Sequence, residues 1–274
     1  VLEAILLFRE ALYGALVIGI ACAVLGVYVV LRRIVFVGAA LAQISSAGIA
    51  LALWLAGHGV LLGLSAHPLA FSLLVTLGGV AFFALTGHGA IPPDAKIGVT
   101  YAVAAGAGIL LIAKAQSGEV HDIFLQGNIL GITRRDTLVL LAATIPVLAA
   151  HALFFKEFLF VSFDRETART QGYNVRWWDL ALYLTLGVVI AFSMQFAGVM
   201  LVFTFLVLPA VTGRLLSRSM RATFAWSIAS AMVAAIGGFA LSIPLDLPSG
   251  PTISVFSGLL VLLAWLLKVL RVVA

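Results

Sequence analysis

The chain has 274 residues, 63% of them hydrophobic and only 10% charged, with sixteen Lys and Arg against eleven Asp and Glu for a net charge of +5. Soluble domains are typically about 25% charged, so this composition excludes a soluble enzyme, a nucleic-acid partner and a disordered chain. What it admits is an all-α, polytopic transmembrane helix bundle, a single domain over residues 1–274 held in membrane lipid.

A spanning helix needs about 20 apolar residues. In chain order the apolar runs predict helices over 11–31, 35–56, 67–85, 95–113, 137–159, 178–196, 198–213, 222–243 and 252–267, about eight to nine spans. The seventh is short and follows the sixth after only Ala197 and Gly198, as a half-helix or a bent continuation. Nine spans put the termini on opposite sides. With the C-terminus cytoplasmic and the N-terminus outside, twelve of the sixteen basic residues fall inside, among them Arg32, Arg33, Arg214, Arg218 and Arg221. That bias fits retention of Lys and Arg in cytoplasmic loops.

Residues 2–10, with Glu3, Arg9 and Glu10 beside apolar neighbours, predict a short interfacial helix. A cleaved leader is not expected, because Arg32 and Arg33 follow the first apolar run rather than precede it. Cys22, the single cysteine, reads as a small packing residue. Small residues four apart, Ala15/Gly19, Cys22/Gly26, Ala102/Gly106 and Ala104/Gly108, predict close helix approach.

No G-x-x-x-x-G-K-[ST], H-E-x-x-H or G-x-S-x-G motif occurs. No span carries Lys, Arg, Asp or Glu at its centre, where carriers driven by ion gradients keep such groups. The chain therefore reads as a transport component rather than an enzyme, with its driving energy supplied by a partner; a stand-alone secondary transporter or channel, with the short seventh span as a broken helix, is the alternative.

The most structured polar stretch is FDRETARTQGYNVRWWD at 163–179. Asp164 suits an N-cap, Glu166 sits where the helix dipole favours an acid, and Gly172 suits the position after the C-cap. These predict a helix of about two turns over 165–171. Such a capped helix serves either as a solvated connector or as a plug for a groove in a partner.

Six segments, in order, carry a resemblance: GVYVVLRRIVFVGAALAQ at 26–43, DAKIGVTYA at 94–102, QGNILGIT at 126–133, the 163–179 stretch, GVMLVFTFLVLPAVTGRLL at 198–216 and LDLPSGPTI at 245–253. Together they resemble the permease subunits of ATP-driven importers for zinc, manganese and iron, and more distantly those for cobalamin and iron-siderophores. The resemblance implies a homodimeric pore, separate ABC ATPase subunits on the cytoplasmic face and an external metal-binding protein that delivers cargo. It implies no cofactor on this chain: a divalent metal is the cargo, and ATP belongs to the partner. It also assigns the 164–176 loop, with Asp164, Arg165, Glu166, Ala168, Arg169, Gln171 and Gly172, as the coupling helix.

One departure stands out. After the Arg pair, zinc and manganese permeases of this type carry an Asp and, four residues on, a His, on one helix face. The matching positions here are Ala39 and Gln43, with Ser46 on the same face. Alanine has no ligand atom, and an amide oxygen is a poor zinc ligand. The implied translocation path, Ala39, Gln43 and Ser46, is thus neutral. That fits either a weakly binding metal path or a different cargo, such as another metal or a metal complex, while Gln43 also suits an interhelical hydrogen bond.

Glu119, His121 and Asp122 form an E-x-H-D set able to hold a divalent metal, or else a loop surface or docking site. His58 and His67 read as interfacial, His151 as a satisfied core histidine, and Asp246 as a cap or docking residue.

Overall fold

The computed structural model describes residues 8–58, 67–85, 92–114 and 129–270. Its helices are α1 (Arg9–Leu31), α2 (Val35–Gly57), α3 (Pro68–Leu85), α4 (Pro93–Lys114), α5 (Arg134–Leu153), α6 (Phe155–Phe163), α7 (Arg165–Thr170), α8 (Val175–Leu216), α9 (Met220–Ser242) and α10 (Ser249–Val269), with a 3-10 turn at Ile129–Gly131 before α5. No strand occurs among the described residues.

The expected spans are present, with three differences that have physical causes. α1 starts at Arg9 with Phe8 in its N-cap position, so Arg9 and Glu10 belong to the first span; residues 2–7 of the expected interfacial helix lie outside the described residues. The expected fifth span is two helices. Thr133 caps α5 in a reciprocal box with Asp136, and the chain breaks at Phe154 (φ −102°, ψ 33°). That break lets Phe158 of α6 stack on His151 of α5 with ring centroids 4.1 Å apart.

The third difference concerns spans six and seven. α8 runs for 42 residues, about 63 Å if straight, twice the hydrocarbon thickness of about 30 Å. It is not straight. Gly198 adopts φ 71°, ψ 169° inside it, a backbone conformation open essentially to glycine alone. Asp179 near its start pairs with Arg32 at the end of α1, while Arg214 near its end shares a cavity of about 200 Å³ with Arg33. Both ends therefore return to one face of the bundle, and α8 reverses at Gly198 into two antiparallel spans. Among the described residues seven helices are long and apolar enough to cross a membrane, Pro68–Ala84 is a shorter apolar helix, and the reversal divides the longest in two.

α1 and α2 lie at the centre, and α4, α5 and α10 at the periphery. α1 packs along the second half of α8 through small residues. The Leu206 carbonyl lies where a side chain on Gly26 would begin, so no larger residue fits there without moving α8. The expected small-residue pairs diverge. Ala15, Gly19, Cys22 and Gly26 of α1 are all buried, whereas Gly106 of α4 has no neighbour in reach. The outward faces carry Val99, Val103 and Leu110 of α4 and Val255, Leu259 and Leu262 of α10. Hydroxyls such as Ser45, Thr204, Ser254 and Ser257 are inside. Apolar outside and hydroxyl-bearing inside is the arrangement expected of helices solvated by lipid.

Candidate substrate path and coupling segment

Ala39, Gln43 and Ser46 lie on one face of α2. They are 7%, 8% and 6% exposed, while Ala40, Leu41, Ala42 and Ser45 beside them are fully enclosed. The face is thus nearly closed within the protomer, with only a sliver of each of the three side chains accessible. Gln43 makes no hydrogen bond among the described residues; the hydroxyl bond from α2 to α3 is made instead by Ser45, with Ser72 at 2.6 Å. This face carries no charge.

The 163–179 stretch is built differently. Asp164 caps α7: its carboxylate accepts from the Thr167 amide at 3.0 Å and from the Thr167 hydroxyl at 2.6 Å. Those bonds, the hydroxyl's first, hold the Asp164 carboxyl below the usual carboxylate range. α7 ends at Thr170 with Gln171 as C-cap, and Gly172 at φ 86° turns the chain, with the Tyr173 amide donating to the Ala168 carbonyl at 3.0 Å. Ala168 is fully buried, while Arg165, Glu166, Arg169, Gln171 and Gly172 are exposed. One buried alanine seats the helix, and its polar side is free. Asn174 then caps α8 by accepting from the Trp177 amide at 3.2 Å.

A group that sequence reasoning missed holds this segment to the bundle. Asp179 is 8% exposed. Its Oδ1 accepts from Arg32 Nη1 at 2.5 Å, and its Oδ2 accepts from Arg165 Nη2. Arg32 Nε donates in turn to Ser162 Oγ at 2.8 Å. α7, α8 and the end of α1 therefore meet at one carboxylate, and α6 joins them through Ser162 on Arg32. The signal in the sequence was an acid directly after two tryptophans at the start of an apolar run, with Arg32 closing another. Nothing local paired them.

The remaining candidates are dispersed. Glu119, His121 and Asp122 fall outside the described residues. His58 follows α2, with Nδ1 2.8 Å from the Trp54 carbonyl and its ring against Trp54; His67 immediately precedes α3. His151 is buried, with Nε2 3.0 Å from Thr185 Oγ1. Asp246 does not cap α10, whose N-cap position is Pro248. No three His, Cys, Asp or Glu side chains converge among the described residues.

Residues 5–268 match the ABC 3 transport family. The chain belongs to that family. Over 94% of its length it is 28% identical to the manganese import system permease protein ScaB of Streptococcus gordonii, covering 90% of that protein. Over 93% of its length it is 26% identical to the high-affinity zinc uptake system membrane protein ZnuB of Haemophilus influenzae, covering 95% of it. Its fold superimposes on PsaBC from Streptococcus pneumoniae in complex with Fab with a TM-score of 0.81, at 25% identity, over 94% of this chain and 90% of that one. The chain is thus a multi-pass ABC transport permease of the plasma membrane, in line with the resemblance carried by its six segments.

Proposed function

We propose that this permease is the membrane subunit of an ATP-driven importer of a divalent metal, manganese or zinc foremost and iron next, working as a homodimer. Separate ABC ATPase subunits dock on the face that carries α7, and that face is cytoplasmic. An external metal-binding protein delivers the cargo to the opposite face. The reading is supported by the manganese and zinc relatives and by the family match over 5–268. The observation that carries it is α7 itself: capped at both ends, exposed on its polar side and tied by Arg165 to a buried carboxylate. A loose connector needs none of this. The cargo passes Ala39, Gln43 and Ser46.

The test is reconstitution in liposomes with the ATPase and the binding protein, measuring uptake of Mn²⁺, Zn²⁺ and Fe²⁺. ATP-dependent uptake of one of them is expected. Equal uptake without the ATPase would overturn the reading. A second cargo, a metal complex, is favoured by one observation: the Ala39–Gln43–Ser46 face offers only neutral oxygens, the Gln43 amide and the Ser46 hydroxyl, which compete weakly with a bare ion's own water. Uptake of chelated metal in preference to the free ion would select it.

A further inference from the structure

We propose that Asp179 is a positioning residue, the joint through which movement of α7 reaches the α1–α2 turn and the path face on α2. This rests on the reading of the chain as an ATP-driven permease.

The two oxygens of one carboxylate are divided between two guanidiniums, Arg32 at the end of α1 and Arg165 on α7. Between the described helices, these are the ion pairs that join separate elements. Their burial is unequal: the Arg32 side chain is 4% exposed and the Arg165 side chain 53%. A buried pair cannot part without stranding a charge, whereas an exposed guanidinium parts into water at small cost. The inner half is therefore a fixed hinge and the outer half a releasable grip.

The link from Arg32 to the path is short and stiff. Arg32 is the C-cap of α1, and α2 begins at Val35. The turn between them is locked by Arg33 N donating to the Val30 carbonyl at 3.2 Å and Ile34 N donating to the Val29 carbonyl at 3.1 Å, with Arg33 at φ 60°. Ala39 lies one turn into α2, and Gln43 one turn further. Ser162 holds Arg32 from the other side, so α6 limits how far the hinge swings. A pull on α7 is carried by Asp179 to Arg32, and by the locked turn to the start of α2. This supplies the contiguous connection that coupling between a docking surface and a distant site uses.

The experiment uses the complete transporter, permease with ATPase and binding protein, in liposomes, and reads Mn²⁺ or Zn²⁺ carried per ATP hydrolysed. Arg165→Ala is expected to lower that ratio at least ~5-fold, while the melting temperature of the permease moves by no more than about 3 °C, as for an exposed pair. Arg165→Lys, which keeps the charge, is expected to recover most of the ratio. Asp179→Asn, which also strips buried Arg32 of its counter-charge, is expected to lower it at least as far, and adding Arg165→Ala to it no further, because both act on one joint. A wild-type ratio in Arg165→Ala, a lysine variant as impaired as the alanine one, or losses that multiply in the double variant would each overturn the proposal. Absence of ATP-dependent uptake by the unaltered transporter would instead overturn the functional reading beneath it.

Discussion

Two polar regions of this permease are built on opposite plans. On α2, Ala39, Gln43 and Ser46 form a nearly buried face without a charge, and Gln43 makes no hydrogen bond among the described residues. At the other region, Arg32, Asp179 and Arg165 concentrate charge at one point, with every partner on a different helix. The contrast fits what the proposed roles, cargo path and joint, would ask of each place. A charge that binds cargo tightly also slows its release, so a path of weak neutral contacts lets cargo pass. A joint must survive load, and a carboxylate shared by two guanidiniums gives directional, charge-assisted bonds.

The charged region is the more fragile. Asp179→Ala leaves the Arg32 guanidinium buried without a counter-charge, and removing one partner of a buried pair costs roughly 3–5 kcal/mol. Poor yield and a large drop in thermal stability of the purified permease are expected; a stable variant would mean that Arg32 reaches water. Ala168→Pro comes next. It removes the Ala168 amide that donates to the Asp164 carbonyl at 3.1 Å, and a proline inside a helix costs about 3 kcal/mol. The cost is confined to α7, so ATP-dependent uptake should be lost while the bundle still assembles in detergent. Retained uptake would remove α7 from coupling.

On the neutral side, Ala39→Asp combined with Gln43→His installs a carboxylate and an imidazole four residues apart. Zinc retained by the purified permease should rise and release should slow. If zinc retention does not change, the face does not meet the cargo. Gln43→Ala is milder: no hydrogen bond among the described residues is lost, so only side-chain packing is removed, about 1 kcal/mol of stability, with a few-fold lower uptake. The smallest effect concerns the Asp164 cap. Its carboxyl is held below the usual range, so its contribution is present above that range and is lost only as pH falls through the lowered value. Hydrogen exchange at the Thr167 amide should be as slow at mildly acidic pH as at neutral pH, relative to an uncapped amide. Loss of protection while ordinary carboxylates are still ionised would contradict the cap.

Much of this was legible in the residues. The apolar runs gave the spans within a few residues, and Asp164 and Gly172 gave both ends of α7. These are local matters: hydropathy, a capping oxygen, a glycine at positive φ. Thr133 and Asp136, three residues apart, formed the cap that starts α5, and that signal too was local. The break at Phe154 was hidden because the run of apolar residues continues through it. His151 read correctly as a core residue but not as a satisfied one: Thr185, 34 residues away, meets its Nε2, while its buried Nδ1 has no partner among the described residues.

By itself, the sequence determined that the chain enters lipid, roughly where it crosses, and that one polar loop is a capped helix. The sequence also placed the break between spans six and seven at Ala197–Gly198; tertiary structure alone decided that the chain turns back there, that Gly26 meets the Leu206 carbonyl while Gly106 meets nothing, and that Arg32 and Asp179, 147 residues apart, share a bond. The physical reason is that lipid is as apolar as leucine. In water, the period of the apolar residues marks the packed side of a helix. In a membrane both sides are apolar, and only the assembled bundle reveals which face meets a neighbour and which charge finds its partner.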